Sequence, residues 1–149
     1  MSKREPAMLS APSGCQVLIA EDDPAIRALL VTALRRRRVR SATAENGDEA
    51  LRHLKKQNWL VLVLDLMMPE VTGWDVIAWL AVHPESKPNT VIVVSATDRA
   101  LLQELDPSVV NAVIFKPFDP MQLSAYVKAS CELAHDDRRR TRIVDAINH

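Results

Sequence analysis

Residues 60–66 read LVLVLDL, a run of five apolar residues that leads directly into the carboxylate of Asp65. A continuous apolar run of this length indicates a strand that is buried on both faces of a sheet. An ionised carboxylate is costly to bury without a partner. The run therefore predicts a buried strand. At its end, Asp65 is expected either to reach the surface or to contact a binding partner.

Similar apolar runs alternate with segments of helical spacing along most of the chain. Several of those segments open with signals for a helix N-terminus, such as Asp23 followed by Pro24, or Asn46 followed three residues later by Glu49. This alternation is typical of the α/β class, and we predict a doubly wound, five-stranded parallel sheet with helices on both faces. The predicted strands are residues 16–20, 39–44, 60–66, 88–96 and 112–116. The predicted helices begin near residues 24, 46, 74, 98 and 119, the fourth ending at 105 and the last near 134.

The two ends of the chain differ in composition from the segment between them. We predict a flexible leader over residues 1–14, one folded domain over residues 15–134, and a polar tail over residues 135–149. The tail is expected either to extend the last helix, as a linker, or to form a short helix of its own.

The composition also excludes several classes of protein. Residues 1–14 contain no long apolar segment, and no apolar run approaches the ~18 residues of a membrane span, so we expect neither a signal peptide nor membrane insertion. The formal net charge is zero, which gives no overall field that would attract nucleic acid. Cys15 and Cys131 have no metal-ligand neighbours, and we expect two reduced thiols in a cytoplasmic protein.

Charged and hydroxyl side chains stand where four of the five predicted strands end. In parallel α/β sheets these carboxyl ends meet at one rim, and ligands bind there. We therefore expect the side chains to face a single site. They are Glu21, Asp22 and Asp23 after the first strand, Asp65 at the third, Ser95 and Thr97 at the fourth, and Lys116 at the fifth.

This combination of side chains indicates a chemistry. Carboxylates held close together repel one another, and a hard divalent cation with oxygen ligands relieves the repulsion. Mg²⁺ suits the set, with Mn²⁺ as the alternative ion, because it takes one or two carboxylates together with waters and phosphate oxygens. Beside the cation Asp65 stays ionised and can attack phosphorus to give an aspartyl phosphate. Lys116 can neutralise one phosphoryl oxygen and Ser95 can donate a hydrogen bond to another.

Four segments, in this order, resemble the receiver domain of two-component response regulators. The resemblance covers about residues 15–134 and implies a flavodoxin-like (βα)5 fold in three layers. It also implies signal transduction through phosphorylation, not turnover of a substrate. The segments are VLIAEDD (17–23), LVLDLMMPEVTGWDVI (62–77), VIVVSA (91–96) and FKPFD (115–119).

The resemblance assigns a role to each candidate residue at the metal. Asp65 would accept the phosphoryl group from a histidine kinase or a histidine phosphotransfer protein. Asp22 and Asp65 would bind Mg²⁺ directly, with the backbone carbonyl of Met67 as a third ligand. Glu21, where the family more often has aspartate, would act through water.

The resemblance also implies a role for the fourth and fifth strands. Ser95 would be the hydroxyl of the switch, and Lys116 would contact the phosphate, with a cis peptide bond between Lys116 and Pro117. Receivers usually carry an aromatic switch residue three positions before the lysine, but this chain has Val113 there. Phe115 is expected to face the other side of the strand. Met67 and Thr97 would border the phosphoryl group and influence its hydrolysis.

Several alternatives stay open at this stage. The downstream partner is either an unknown protein or a fused output domain, and a homodimer is a further option. The missing aromatic at Val113 allows a degenerate receiver that acts as a constitutive interaction scaffold. An aspartate-nucleophile phosphohydrolase is the enzymatic alternative, but such enzymes tend to have a second acid two residues after the nucleophile, where this chain has Met67.

Overall fold

The computed structural model describes residues 16–96 and 99–148, without the side chains of residues 101 and 135–148. Five parallel strands form one sheet in the order β2-β1-β3-β4-β5. The prediction of a doubly wound, five-stranded parallel sheet is confirmed. The strands are β1 (Val17–Ala20), β2 (Ser41–Ala44), β3 (Val61–Asp65), β4 (Thr90–Ser95) and β5 (Ala112–Phe115). The helices are α1 (Pro24–Arg36), α2 (Gly47–Lys56), α3 (Gly73–Val82), α4 (Arg99–Leu102) and α5 (Pro120–Asn148), with a 3-10 turn at Pro84–Ser86.

The sheet is buried between two apolar layers, as the continuous runs predict. Successive side chains of a strand point to opposite faces, so Leu62 and Leu64 pack against α2 and α3. Val61 and Val63 pack on the other face, against α1 and α5. Every residue of β1 and β3 is buried, which explains why neither strand alternates between apolar and polar residues.

The register of the strands sets the height of the site. Ala20 pairs with Leu64, and Asp65 pairs with Val94 in the neighbouring strand. Glu21 follows Ala20 directly, so it lies level with Asp65 at the carboxyl ends of the strands. Ser95 pairs with Phe115, which brings the end of β5 to the same rim.

The helix after β4 is shorter than predicted. Residues 98–105 were expected to be helical, but α4 spans Arg99–Leu102 and the chain then turns. The cause is the sequence that follows, because the residue before a proline is disfavoured in helical conformation. That residue is Asp106, whose carboxylate instead accepts a hydrogen bond from the backbone N–H of Ser108 at 2.8 Å.

The last helix is longer than predicted. It runs for 29 residues, from Pro120 to Asn148, so the backbone of residues 135–148 continues it. In the part of the helix whose side chains are described, which ends at residue 134, buried side chains recur at helical spacing on the inner face. They pack on the face of the sheet that carries Val61 and Val63. Among the described residues, no helix is both long enough and apolar enough to cross a membrane.

One expectation about the cysteines is wrong. Cys131 is buried on the inner face of α5 and is disulfide-bonded, so it is not a reduced thiol. Cys15, Thr97 and the leader over residues 1–14 lie outside the described residues.

Gly73 controls how closely α3 approaches the end of β3. It is the first residue of α3, it is buried, and its N–H donates to the carbonyl of Leu66 at 3.0 Å. A Cβ atom at this position would collide with the backbone of Asp65 and Leu66. The absence of a side chain therefore lets the helix begin directly against the residue that carries the candidate nucleophile.

We predict that Gly73→Ala destabilises the protein by about 1–3 kcal/mol, the usual cost of forcing extra atoms into a packed site. Helix propensity alone predicts the opposite sign, because alanine normally stabilises a helix relative to glycine. Urea unfolding measures the difference. The matched control is Ala78→Gly on the exposed face of α3, which should cost about 1 kcal/mol. A more stable Gly73→Ala protein would contradict the collision with Asp65.

Candidate functional site

The rim of the sheet holds a cluster of three carboxylates. Oxygens of Glu21, Asp22 and Asp65 lie within 4.8 Å of one another. Glu21 and Asp65 are only 2% and 3% exposed, whereas Asp22 is exposed. The loop that carries two of these acids is short, because Asp23 caps α1 by accepting a hydrogen bond from Ala25 N–H at 2.9 Å.

The carboxylate of Asp65 is fixed at both oxygens. Its Oδ1 accepts a hydrogen bond from the backbone N–H of Met67 at 3.0 Å, which belongs to the loop after β3. Its Oδ2 accepts from the ammonium of Lys116 at 3.2 Å. The candidate nucleophile is therefore oriented by its own strand and by a side chain from the far edge of the sheet.

Lys116 joins three strands through one ammonium group. Its Nζ lies 3.1 Å from Oε1 of Glu21 and 3.2 Å from Oδ2 of Asp65, and the side chain is only 20% exposed. Burial acts to lower the pKa of Lys116, but the two carboxylates outweigh it and hold that pKa above its ordinary value. The peptide bond between Lys116 and Pro117 is cis, as the family resemblance implies.

The cluster carries more negative charge than its surroundings readily accept. Burial and the neighbouring Asp65 carboxylate raise the pKa of Glu21 to about 7, from an ordinary value of 4.5. The cluster contains three carboxylates and one ammonium, so a divalent cation would balance their charges when all three acids are ionised. The donors are all hard oxygens at an edge open to water through Asp22, and this is the chemistry that Mg²⁺ prefers.

Ser95 and Met67 complete the predicted set. Ser95 is completely buried at the end of β4, and its carbonyl accepts a hydrogen bond from Lys116 N–H at 2.9 Å. This bond ties the hydroxyl-bearing strand to the backbone of the lysine. Met67 is 61% exposed and lies two residues after Asp65, in the loop that follows β3.

The expected orientation of Phe115 is wrong. Val113 packs into the apolar layer that contains α2 and α3, whereas Ile114 packs into the opposite one. Because side chains alternate along a strand, Phe115 shares the face of Val113. Its ring lies under the guanidinium of Arg99, with 4.4 Å from Cζ to the ring centroid. An aromatic contact therefore exists on this face, two residues nearer the rim than Val113.

Arg27 is the site residue that the sequence analysis missed. From the first turn of α1, its Nη1 donates to the carbonyl oxygens of Glu21 and Asp22 at 2.8 and 3.2 Å. Its position in the sequence could have indicated a role. A cation in the first turn of a helix is disfavoured by the helix dipole, so an arginine there suggests another stabilising contact.

Comparisons with known proteins agree with this geometry. The family model for the response regulator receiver domain matches residues 17–128. Protein Rrf1 of Nitratidesulfovibrio vulgaris is 33% identical over 112 residues, which cover 75% of this chain and 79% of Rrf1. The transcriptional regulatory protein SrrA of Staphylococcus aureus is 31% identical over 114 residues, which cover 76% of this chain but only 46% of SrrA.

Solved structures show the same likeness. A Francisella response regulator 1452 receiver domain superposes with a TM-score of 0.73 at 27% identity, covering 81% of this chain and 99% of that one. The Thermotoga maritima response regulator TrrA, solved in complex with Mg²⁺-BeF, has a TM-score of 0.66 at 27% identity, covering 77% and 97%. With the family model matched along most of its folded part, the chain belongs to the response regulator receiver domain family.

Proposed function

We propose that this chain is an active phosphoacceptor receiver in a two-component phosphorelay. A histidine kinase or histidine phosphotransfer protein phosphorylates Asp65 in a Mg²⁺-dependent reaction, and the phosphorylated form changes its binding to a partner. The observation that carries the proposal is the carboxylate of Asp65, fixed between Met67 N–H and Lys116 and surrounded by the acids of β1. A structural ion pair would require one carboxylate beside the ammonium, whereas Lys116 contacts two and the carboxylate of Asp22 lies close to both of them.

We propose the metal ligands that the family resemblance implies, and the clustering of the Glu21, Asp22 and Asp65 carboxylates supports them. Asp22, Asp65 and the backbone carbonyl of Met67 would hold Mg²⁺ or Mn²⁺ directly, and Glu21 would contribute through water. When bound, the cation neutralises the carboxylates and the incoming phosphoryl oxygens. TrrA, a relative by structure, was solved with Mg²⁺-BeF, which supports this proposal.

The chain's own residues would carry the transfer. A carboxylate oxygen of Asp65 forms the new P–O bond while the bond from phosphorus to the donor's imidazole nitrogen breaks. Lys116 then exchanges its contact with Asp65 for one with a phosphoryl oxygen, and the Ser95 hydroxyl donates to another. Hydrolysis by water reverses the modification, and the exposed side chain of Met67 borders the path of that water. The proposed chemistry is limited to phosphorylation of the chain by a phosphodonor and hydrolysis of its own aspartyl phosphate.

The partners are proposed by class. Upstream stands a histidine kinase or phosphotransfer protein, and downstream an unidentified protein, a fused output domain or a second copy of the chain. SrrA, named as a transcriptional regulatory protein, extends well beyond the matched region, which supports the fused version. We propose no binding of nucleic acid or membrane by this domain, and a cytoplasmic location. The disulfide at Cys131 is uncommon in that compartment.

We predict that incubation with acetyl phosphate and Mg²⁺ adds one phosphoryl group, detected by intact mass spectrometry. The matched controls are Asp65→Asn, which removes the nucleophile at nearly constant shape, and EDTA, which removes the cation. An adduct that survives either control would contradict the proposal. If no adduct forms although Mg²⁺ binds, a beryllofluoride titration separates rapid hydrolysis, which gives a stable complex, from a degenerate scaffold, which gives none.

We predict that Glu21→Gln stabilises the metal-free protein at pH 8 and weakens its binding of Mg²⁺. The folded-state pKa of Glu21 is raised, so its contribution to stability is present below about pH 4.5 and is lost as the pH rises through about 7. Glutamine does not ionise, so the variant does not lose this stability as the pH rises. Thermal unfolding in EDTA should therefore show a larger gain in Tm, relative to wild type, at pH 8 than at pH 5.

The control for this prediction is Glu85→Gln, which changes an exposed carboxylate away from the cluster. Its effect on Tm should be the same at both pH values. A Glu21→Gln protein whose gain in Tm does not depend on pH would contradict the proposed repulsion within the cluster.

We predict that the environment of the Phe115 ring changes when the site is occupied, because Phe115 and its contact Arg99 both lie near site residues in the sequence. Arg99 lies four residues after Ser95, and Phe115 immediately precedes Lys116. The chain has two phenylalanines, so ¹⁹F-phenylalanine labelling gives two resonances, and Phe118→Leu assigns them. Addition of Mg²⁺ and beryllofluoride should shift the Phe115 resonance, and Arg99→Gln should reduce that shift. If the protein binds Mg²⁺ and beryllofluoride but the Phe115 resonance does not shift, the prediction that this ring responds to the site is wrong.

A further inference from the structure

Arg27 binds the backbone of the loop that carries two of the three clustered acids. Its Nη1 donates to the carbonyl oxygen of Glu21 at 2.8 Å and to that of Asp22 at 3.2 Å. The side chain is only 16% exposed, and its other terminal nitrogen lies 3.9 Å from the carboxylate of Glu45 at the end of β2. The guanidinium therefore occupies the back of the loop, on the backbone side of the acidic cluster.

This position is costly, so it requires a compensating gain. Arg27 stands in the first turn of α1, where the helix dipole disfavours a cation. Its guanidinium is also largely withdrawn from water, and burial of a charge is unfavourable without good partners. The pair with Glu45 contributes little, because it is long and Glu45 is 65% exposed. The two carbonyl bonds are the remaining compensation, and both belong to the acidic loop.

The two carbonyl bonds determine where the acids point. When the peptide oxygens of Glu21 and Asp22 are held toward Arg27, rotation of these peptide groups is blocked. The direction in which each side chain leaves the backbone is then fixed as well. This matters most for Asp22, which is exposed and has little packing to orient it.

We propose that Arg27 is a positioning residue for divalent-cation binding. It holds the loop so that the carboxylates of Glu21 and Asp22 meet Asp65 in the compact arrangement that Mg²⁺ requires. The inference rests on the proposed function, because it concerns the same metal site. On this proposal, Arg27 raises the affinity for Mg²⁺. Its charge alone would lower that affinity, because a nearby cation repels Mg²⁺.

The test compares two ions in the full chain by isothermal titration calorimetry. Mg²⁺ demands near-octahedral geometry at short distances, whereas Ca²⁺ tolerates longer and irregular coordination. We expect Arg27→Met to weaken Mg²⁺ binding about tenfold, the scale of a lost charge-assisted hydrogen bond, and to weaken Ca²⁺ binding much less. Arg27→Lys keeps the charge but not the planar guanidinium, whose Nη1 donates to both carbonyls, so it should fall between wild type and Arg27→Met.

The change in the Mg²⁺ to Ca²⁺ affinity ratio distinguishes positioning from a general loss of stability, which would affect both ions alike. The matched control is Arg52→Met, which removes an exposed arginine on α2 and should leave both affinities unchanged. Thermal unfolding in EDTA confirms that each variant is folded. If Arg27→Met does not fold, Arg27→Lys decides, and wild-type Mg²⁺ affinity in that variant overturns the proposal.

Equal or tighter Mg²⁺ binding by folded Arg27→Met would show that its charge, not its placement of the loop, dominates, and this result overturns the inference alone. A wild-type chain that binds neither ion overturns the proposed function and the inference together. If the wild-type chain binds Mg²⁺ and the Arg27 variants have a lower Mg²⁺ to Ca²⁺ affinity ratio, the result supports both the proposed function and the inference.

Discussion

The ammonium of Lys116 is the interaction on which the site depends. It lies within about hydrogen-bond distance of Glu21 and Asp65, and so connects the ends of β1, β3 and β5 across the sheet. A buried ion pair of this kind is weak evidence for net stability, because desolvation offsets much of the attraction. Its value here is geometric. It holds carboxylates from two strands close together, in an arrangement that mutual repulsion would otherwise open.

The site therefore conflicts with the stability of the domain that carries it. Two buried carboxylates face one another, and the raised pKa of Glu21 records the cost of keeping both ionised. The surrounding fold tolerates this cost because β1 and the part of β3 that precedes Asp65 are apolar and buried. A rigid, well-packed sheet can hold a destabilised cluster at its rim, and a divalent cation that binds there relieves the repulsion between the carboxylates.

Sequence patterns predicted the strands and the residues at their ends well, for a physical reason. A strand buried on both faces must be apolar throughout, so β1, β3 and β4 are visible as uninterrupted runs, and the polar residue that ends each run is a rim residue. The same patterns failed at α4, where Leu101, Leu102 and Leu105 suggested a longer helix. There the turn chemistry of Asp106 and Pro107 outweighed the apolar spacing.

The sequence by itself determined the fold class, the order of the acids, the hydroxyl and the lysine along the chain, and the likeness to receivers. These follow from local composition and from the rule that parallel strands place their carboxyl ends together. Only the tertiary structure decided that Lys116 reaches two acids at once, that Arg27 holds the loop of Glu21 and Asp22, and that Phe115 lies under Arg99. Each of these contacts joins residues through side-chain conformation and packing, and periodicity along a chain carries no information about either.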